Sequence, residues 1–142
     1  MISKDNKKLL ISKVDELSED EGFWRRMKED KRGGREGKLG STNIRSVATV
    51  CENADCFEEL KLYIGYKIAK GNGWDERLKV ENKDMVFGNA VIKHMEEIYD
   101  ECKENDEEAL EMIGLYFGYL FWRKVDIEKG DYFERLPKER NR

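Results

Sequence analysis

Residues 110–125 read LEMIGLYFGYLFWRKV and include the longest nearly apolar run of the chain. Apolar side chains almost encircle a helix drawn through this stretch, which indicates a position at the centre of a helical domain or in a subunit interface. We predict that this final helix runs from about Glu107 to Val125. Its apolar run is about half of the ~20 residues that span a bilayer, so no membrane-spanning segment is expected.

Shorter amphipathic segments precede this helix, each with apolar residues every three or four positions. The predicted helices cover residues 9–30, 41–53, 56–70 and 84–103. The first segment is divided, because Ser18 and Glu21 form a capping-box pattern that starts a second helix. No alternation of β-branched residues predicts a strand, and residues 74–83 form a connection without an assigned structure.

These patterns together predict an all-α fold, a single-domain helical bundle of about five to six helices. The bundle covers residues 1–125, and a polar, frayed C-terminal tail covers residues 126–142. A chain of 142 residues is long enough to bury a core without disulfides or metals. Three cysteines and a charged N-terminus without a secretory signal favour the cytoplasm.

Basic and acidic residues are segregated along the sequence. Residues 24–45 contain eight basic and three acidic side chains, a local charge of +5 in a chain whose net charge is -4. Residues 96–111 contain nine acidic and one basic side chain, a local charge of -8. The basic stretch holds a glycine-rich loop with Arg35 and then Ser41 or Thr42, one of which is expected to cap a helix whose free N–H groups suit contact with phosphate. A solvated loop with ordinary charge clustering explains the same pattern without a ligand.

Three cysteines and the single histidine supply the atom types of a zinc site or of a thiol enzyme; they are Cys51, Cys56, His94 and Cys102. Their spacing differs from that of zinc sites, where cysteines usually pair two residues apart. A histidine on an apolar helix face is ordinarily a core or interface residue. Residues 32–38 superficially resemble a phosphate loop, but they lack its Gly-Lys-Ser/Thr ending and the preceding strand. We therefore predict no catalytic residue, no metal site, no cofactor and no enzymatic activity.

Aromatic side chains of the last helix have the chemistry to stack on nucleic-acid bases. At helical spacing they more often form core or oligomer contacts. Trp74 lies outside the predicted helices, in the unassigned connection. A tryptophan in such a position either covers the core or forms an exposed contact.

Two short stretches carry a family resemblance. Residues 40–45 read Gly-Ser-Thr-Asn-Ile-Arg and resemble a signature of the small subunit of type III-A CRISPR effector (Csm) complexes, Leu/Ile-Thr-Thr-Ser-x-Leu/Ile-Arg at the start of a helix. Residues 60–70 are similar to a second helix of that family, Leu-Lys-x-x-x-x-Tyr-x-Ala-Arg/Lys, with the spacing shifted by a residue. The aromatic last helix, the chain length and the basic middle also agree with the family.

The resemblance implies a non-catalytic subunit that stacks in several copies beside the duplex of guide and target RNA. Its partners would be RNA, other subunits of the effector complex and further copies of itself, without a membrane. Carried over by position, Lys38 and Arg45 would lie near the RNA backbone, and Lys67 and Lys70 would extend that basic strip along the next helix. Contact with phosphates would make binding sequence-tolerant and salt-dependent.

Two other interpretations need no RNA. The surplus of apolar residues around the last helix is also typical of a helical protein–protein adaptor or an oligomeric scaffold. An enzyme with a thiol or zinc site would instead show a bound metal or a cysteine of low pKa.

Overall fold

A computed structural model describes residues 2–29 and 39–137 of the chain. Helices account for 73% of these residues, and two short strands form a small sheet. The protein is therefore mostly helical, and the prediction of an all-α fold is corrected by the sheet. The elements are α1 (Lys4–Leu17), α2 (Glu21–Glu29), α3 (Ser41–Asn53), α4 (Phe57–Lys70), β1 (Arg77–Val80), β2 (Lys83–Val86), α5 (Phe87–Glu101), α6 (Asp106–Lys129) and α7 (Tyr132–Arg135).

Helix α6 packs against α1, α3, α4, α5 and α7 and so organises the fold. Its core-facing side chains, among them Ile113, Phe117 and Leu120, are fully buried. Burial of a side chain of this size stabilises a fold by about 1.5–3 kcal/mol. Trp122 on the same helix remains 68% exposed. None of the helices in the described part of the chain, α6 included, has the length and apolar content needed to cross a membrane.

Helices α1 and α3 lie on opposite sides of α6, because α1 lies beside Tyr119 and Arg123 whereas α3 lies beside Gly114 and Phe121. Helix α3 runs antiparallel to α6, because its first turns contact Phe121 through Arg45 and its last turns approach the N-terminal half of α6. Helix α1 runs parallel to α6, because Ile2 lies near that N-terminal half while Asp15 bonds to Arg123. A strip of α6 therefore faces outward between α1 and α3.

A β-hairpin occupies most of the connection that sequence patterns left unassigned. Strands β1 and β2 pair antiparallel, with Val80 opposite Lys83 and a two-residue turn between them. The turn residues Glu81 and Asn82 have φ angles of 52° and 67°, the left-handed conformation of a type I′ turn. Leu78 and Val80 are buried and alternate with exposed residues. The strand pattern was thus present, but over four residues only.

An aromatic cluster joins this region to α2 and α5. The ring of Phe87 stacks on Phe23 with their centroids 5.3 Å apart, and it contacts Trp74 at 5.5 Å and Trp24 at 6.0 Å. Trp74 is fully buried, so it covers the core and is not an exposed contact.

Helix α2 begins after Asp20, whose Oδ1 accepts a hydrogen bond from the backbone N–H of Phe23 at 3.1 Å. The capping residue is therefore Asp20 and not the predicted Ser18. The hydroxyl of Ser18 instead donates to the carbonyl oxygen of Val14 in α1.

The C-terminal region also differs from the prediction. Helix α6 continues to Lys129, beyond the expected end at residue 125, and α7 follows. Arg135 in α7 pairs with Asp126 in α6, and the partly buried Ile127 and Phe133 pack against the core. Residues 126–135 therefore extend the helical structure and do not form a frayed tail.

Candidate nucleic-acid interface

Helix α4 carries two tyrosines, one half-buried and one exposed, and each is followed four residues later by a lysine. This spacing places the members of each pair on one face of the helix. Lys67 Nζ lies 5.9 Å from the ring centroid of Tyr63, and Lys70 Nζ lies 5.6 Å from that of Tyr66, both within cation–π range. The ring of Tyr66 is 55% exposed. We call these four residues the α4 strip.

The first turn of α3 lies beside the α4 strip. Lys67 Nζ donates a hydrogen bond to Asn43 Oδ1 at 3.1 Å, which joins the start of α3 to the end of α4. Helix α3 begins at Ser41, with Gly40 at the N-cap, and glycine has no side chain that could cap the first turn. Ser41 and Thr42 are thus the first two helical residues, and neither is the cap expected from the sequence. The N–H groups of an uncapped first turn carry partial positive charge, which adds to that of Lys67.

Four of the six predicted RNA-binding residues fall in the described part of the chain. Lys67 contacts the first turn of α3 through Asn43, Ser41 begins that turn, and Lys70 is the last residue of α4. Arg35 and Lys38 lie outside the described residues.

Arg45 lies on the other side of α3. It follows Asn43 by two residues, which is a rotation of about 200° around a helix. Its guanidinium carbon lies 5.3 Å from the ring centroid of Phe121 in α6. The structure therefore separates Arg45 from the lysines of the α4 strip.

The two tyrosines of the α4 strip were not singled out as site residues from the sequence. A usable signal existed, because Tyr-x-x-x-Lys occurs at residues 63–67 and again at residues 66–70. The aromatic residues of the last helix, which the sequence suggested as base-stacking candidates, differ in burial. Tyr116 and Phe117 are fully buried, whereas Trp122 is largely exposed.

Charge along α4 follows the helix dipole. Its first turn carries Glu58 and Glu59, and its last turn carries Lys67 and Lys70. Acidic side chains near an N-terminus and basic ones near a C-terminus stabilise a helix. The basic charge of α4 is therefore concentrated at the end that meets the first turn of α3.

Part of the acidic stretch at residues 96–111 is occupied by contacts within the protein. Glu96 pairs with Lys61 at 2.7 Å, and Glu97 pairs with Lys13 at 2.5 Å. Asp106 Oδ1 accepts a hydrogen bond at 3.0 Å from the backbone N–H that begins α4. These carboxylates hold α1 and α4 against α5 and α6.

His94 is buried between α1 and α6. Its Nδ1 lies 2.8 Å from the hydroxyl oxygen of Tyr116, and its Nε2 lies 2.9 Å from Glu16 Oε1. Burial lowers the pKa of His94, although the carboxylate of Glu16 acts in the opposite direction. A general base must come within hydrogen-bond reach of the proton that it removes. At 2% exposure, the ring of His94 contacts groups of the protein core.

Two of the three cysteines are buried. Burial raises the pKa of Cys51 to about 12 and that of Cys102 to about 11, so both thiols are protonated at neutral pH and are poor nucleophiles. Cys102 Sγ lies 3.5 Å from Met112 Sδ. In residues 2–29 and 39–137, no three His, Cys, Asp or Glu side chains are grouped so that they could hold a metal ion.

The chain was compared with models of protein families, with curated proteins and with solved structures, and it matches none of them. The function therefore has to be inferred from the α4 strip and its surroundings.

Proposed function

We propose that the protein is a non-catalytic, cytoplasmic helical-bundle subunit of a type III CRISPR ribonucleoprotein, and that it binds the backbone of guide and target RNA in a sequence-tolerant way. The observation that carries the proposal is the α4 strip, in which the exposed Tyr66 and the half-buried Tyr63 each lie within cation–π distance of a lysine ammonium group. The ribonucleoprotein context comes from the resemblance of residues 40–45 and 60–70 to the small subunit of such complexes.

The α4 strip combines the two contacts that single-stranded RNA accepts without regard to sequence. Lys67 and Lys70 supply positive charge for phosphates, and the tyrosine rings offer surfaces on which bases stack. The uncapped first turn of α3 adds backbone N–H donors beside Lys67. Phosphate and stacking contacts of this kind fix the strand on the protein but do not read base edges.

A salt titration of RNA affinity tests the proposal. Fluorescence anisotropy with a labelled single-stranded RNA gives the association constant at several salt concentrations. For single strands, each phosphate contact contributes about 0.7 to the slope of log K against log salt. Replacing Lys67 and Lys70 together by alanine should therefore weaken binding and lower the slope by about 1.4.

Tyr66→Ala separates stacking from charge. Loss of one stacked base costs about 1–3 kcal/mol, so affinity should fall by roughly 5- to 150-fold while the salt slope stays unchanged. The matched control replaces Lys79 and Lys83 of the hairpin by alanine, which changes the net charge equally at two exposed positions outside the α4 strip. Equal loss of affinity in the hairpin control, or no binding by the native chain at low salt, would contradict the proposal.

A further inference from the structure

The outward face of α6, between α1 and α3, is left open by the packing described above, and Trp122 on this face is 68% exposed. Its central residues lie three or four positions apart and so form one stripe along the helix: Glu111, Leu115, Gly118 and Trp122. Ile11 of α1 borders this stripe and is 41% exposed. We call the stripe and its borders on α1 and α3 the α6 face.

Two grooves lie at opposite ends of the α6 face. A groove of about 650 Å³ runs between α3 and the N-terminal half of α6, and Ala48, Cys51 and Gly114 are among its lining residues. A smaller one of about 250 Å³ lies between α1 and the C-terminal half of α6, beside Trp122. The face thus has a hollow at one end and a projecting indole ring at the other. Gly118 lies midway, and a Cβ atom placed there would meet no atom within 4 Å.

From this arrangement we propose that the α6 face binds a second copy of the same chain, in an antiparallel pair with Gly118 at the two-fold axis. A two-fold interface uses one patch twice, so each feature must meet its complement at an equal distance from the axis. Trp122 lies four residues after Gly118, and Gly114 lies four residues before it. The indole ring of each copy therefore lies at the level of Gly114 of the other, on the α1 side of α6, where Ile2 and Leu115 help to line the larger groove.

Charge on the α6 face is complementary in the same pairing. The N-terminal end carries the exposed carboxylates of Glu52, Glu107 and Glu111, and the C-terminal end carries Arg45 and Lys129. Antiparallel pairing about Gly118 brings Glu107 opposite Lys129 of the second copy. It also places Arg45 near the level of the second copy's Glu52, because α3 runs antiparallel to α6. Like charges at both ends would have opposed such an interface.

The charges of α1, at the border of the α6 face, are arranged in the opposite order to those of α6 and α3, with a basic residue at the acidic end and an acidic residue at the basic end. Its exposed Lys4 lies toward the acidic end, and its exposed Asp15 lies toward the basic end. A two-fold axis perpendicular to α6 sets α1 of one copy beside α1 of the other. Lys4 then approaches the second copy's Asp15, so the border is complementary as well.

The mass of the chain in solution tests this proposal in the absence of RNA. Sedimentation equilibrium or light scattering of the full chain should give twice the 16.8 kDa of one copy. Trp122→Ala and Gly118→Arg should each give the mass of one copy with an unchanged helical circular-dichroism spectrum. Leu62→Ala is the matched control, because Leu62 is 77% exposed on α4 and should leave the dimer intact.

Disulfide trapping tests the position of the axis. Gly118→Cys places two thiols at the axis, so mild oxidation should give a covalent dimer on a non-reducing gel. Gly65→Cys provides the control, because Gly65 is similarly open but lies on α4. A native chain that stays monomeric up to high micromolar concentration, or a dimer that survives both Trp122→Ala and Gly118→Arg, would overturn the proposal. Equal trapping of the two cysteine variants would also overturn it.

Discussion

His94 is held between two groups that suit its neutral ring. The Nε2–H can donate to the carboxylate of Glu16, and Nδ1 can then accept from the hydroxyl of Tyr116. Protonation would turn Nδ1 into a second donor that faces a hydroxyl group. Lys13 and Glu97 lie close enough to affect the ring electrostatically, and they act in opposite directions. Burial dominates, and the pKa of His94 falls below its ordinary value of 6.5.

Stability should consequently depend on pH near neutrality. The unfolded chain binds the proton of His94 more readily than the folded chain, so the contribution is present above pH 6.5 and is lost as the pH falls toward the lowered folded pKa. One group contributes at most about 1.4 kcal/mol per pH unit. Urea unfolding between about pH 7 and pH 5.5 should show this slope. The slope should vanish in His94→Gln, because the chain has no other histidine. If the stability of this variant depended on pH as steeply as that of the native chain, the slope could not be assigned to His94.

Lys124 is a second buried ionisable residue, at 1% side-chain exposure. It pairs with Glu128 one turn later, whose side chain is 7% exposed. Removing one partner of a buried ion pair is generally destabilising, by about 3–5 kcal/mol. Glu128→Gln should therefore lower the free energy of unfolding by about 3 kcal/mol, as measured by urea denaturation. Glu96→Gln breaks an exposed pair with Lys61 and should lower the free energy of unfolding by less than about 1 kcal/mol. If the two variants lost equal stability, burial would not make the Lys124–Glu128 pair more important than an exposed pair.

Glycines within helices differ in what surrounds them. A Cβ atom at Gly88, in the first turn of α5, would lie 2.2 Å from Ile68 Cγ1 and 3.0 Å from the carbonyl oxygen of Trp74. Gly88→Ala should therefore destabilise the fold by about 1–3 kcal/mol through overpacking. Gly65→Ala in α4 meets open space and should stabilise it by about 1 kcal/mol through helix propensity. Thermal or urea unfolding should show that the free energy of unfolding falls in Gly88→Ala and rises in Gly65→Ala.

The two residues of the hairpin turn are not those with the highest preference for a type I′ turn. Glu81 and Asn82 both have positive φ, and Asn-Gly is the sequence that type I′ turns prefer. Replacing Glu81 by asparagine and Asn82 by glycine should raise the free energy of unfolding by roughly 0.5–1 kcal/mol. Placing the same Asn-Gly pair at residues 103–104, also of positive φ but outside a hairpin, would show how much of the gain comes from backbone conformation alone.

The helices could be predicted because their periodic pattern runs over three or more turns. Residues 56–70 predict α4 closely, since Leu60 and Ile64 recur at helical spacing and glycine follows the last turn. The hairpin offered no such signal, because its strands are four residues long and its turn lacks Asn-Gly. The end of α6 was missed because Asp126, Glu128 and Lys129 look solvent-exposed in sequence, while Ile127 packs on the core.

The candidate interface could be predicted in part. Lys67 and Lys70 share a face because they lie three residues apart on one helix, which the sequence alone indicates. The surroundings of Arg45 depend on which helix packs against each side of α3. Helix α6 packs against the side that carries Arg45, whereas α4 contacts the side that carries Asn43. Long-range packing of this kind has no local signature. Tyr63 and Tyr66 differ from Arg45 in this respect, because the repeated Tyr-x-x-x-Lys spacing is a local signal that the sequence does carry.

At the scale of the whole molecule, the α4 strip and the α6 face use separate surfaces. The strip lies on the outer side of α4, whereas the α6 face lies between α1 and α3. The two proposed activities should therefore separate by mutation. Trp122→Ala should abolish the dimer and leave the affinity of each copy for a short RNA unchanged. Replacement of Lys67 and Lys70 by alanine should weaken RNA binding and leave the mass in solution unchanged.

A longer RNA that reaches both α4 strips of a dimer should bind more tightly than a short one, because the second contact becomes intramolecular. Trp122→Ala should remove that advantage and bring the long RNA to the affinity of the short one. Anisotropy titrations with RNAs of two lengths, on the native chain and on this variant, measure the difference. If Trp122→Ala weakened the binding of the short RNA as much as the paired lysine replacements do, the two surfaces would not be independent. RNA contact would then have to be assigned to the α6 face.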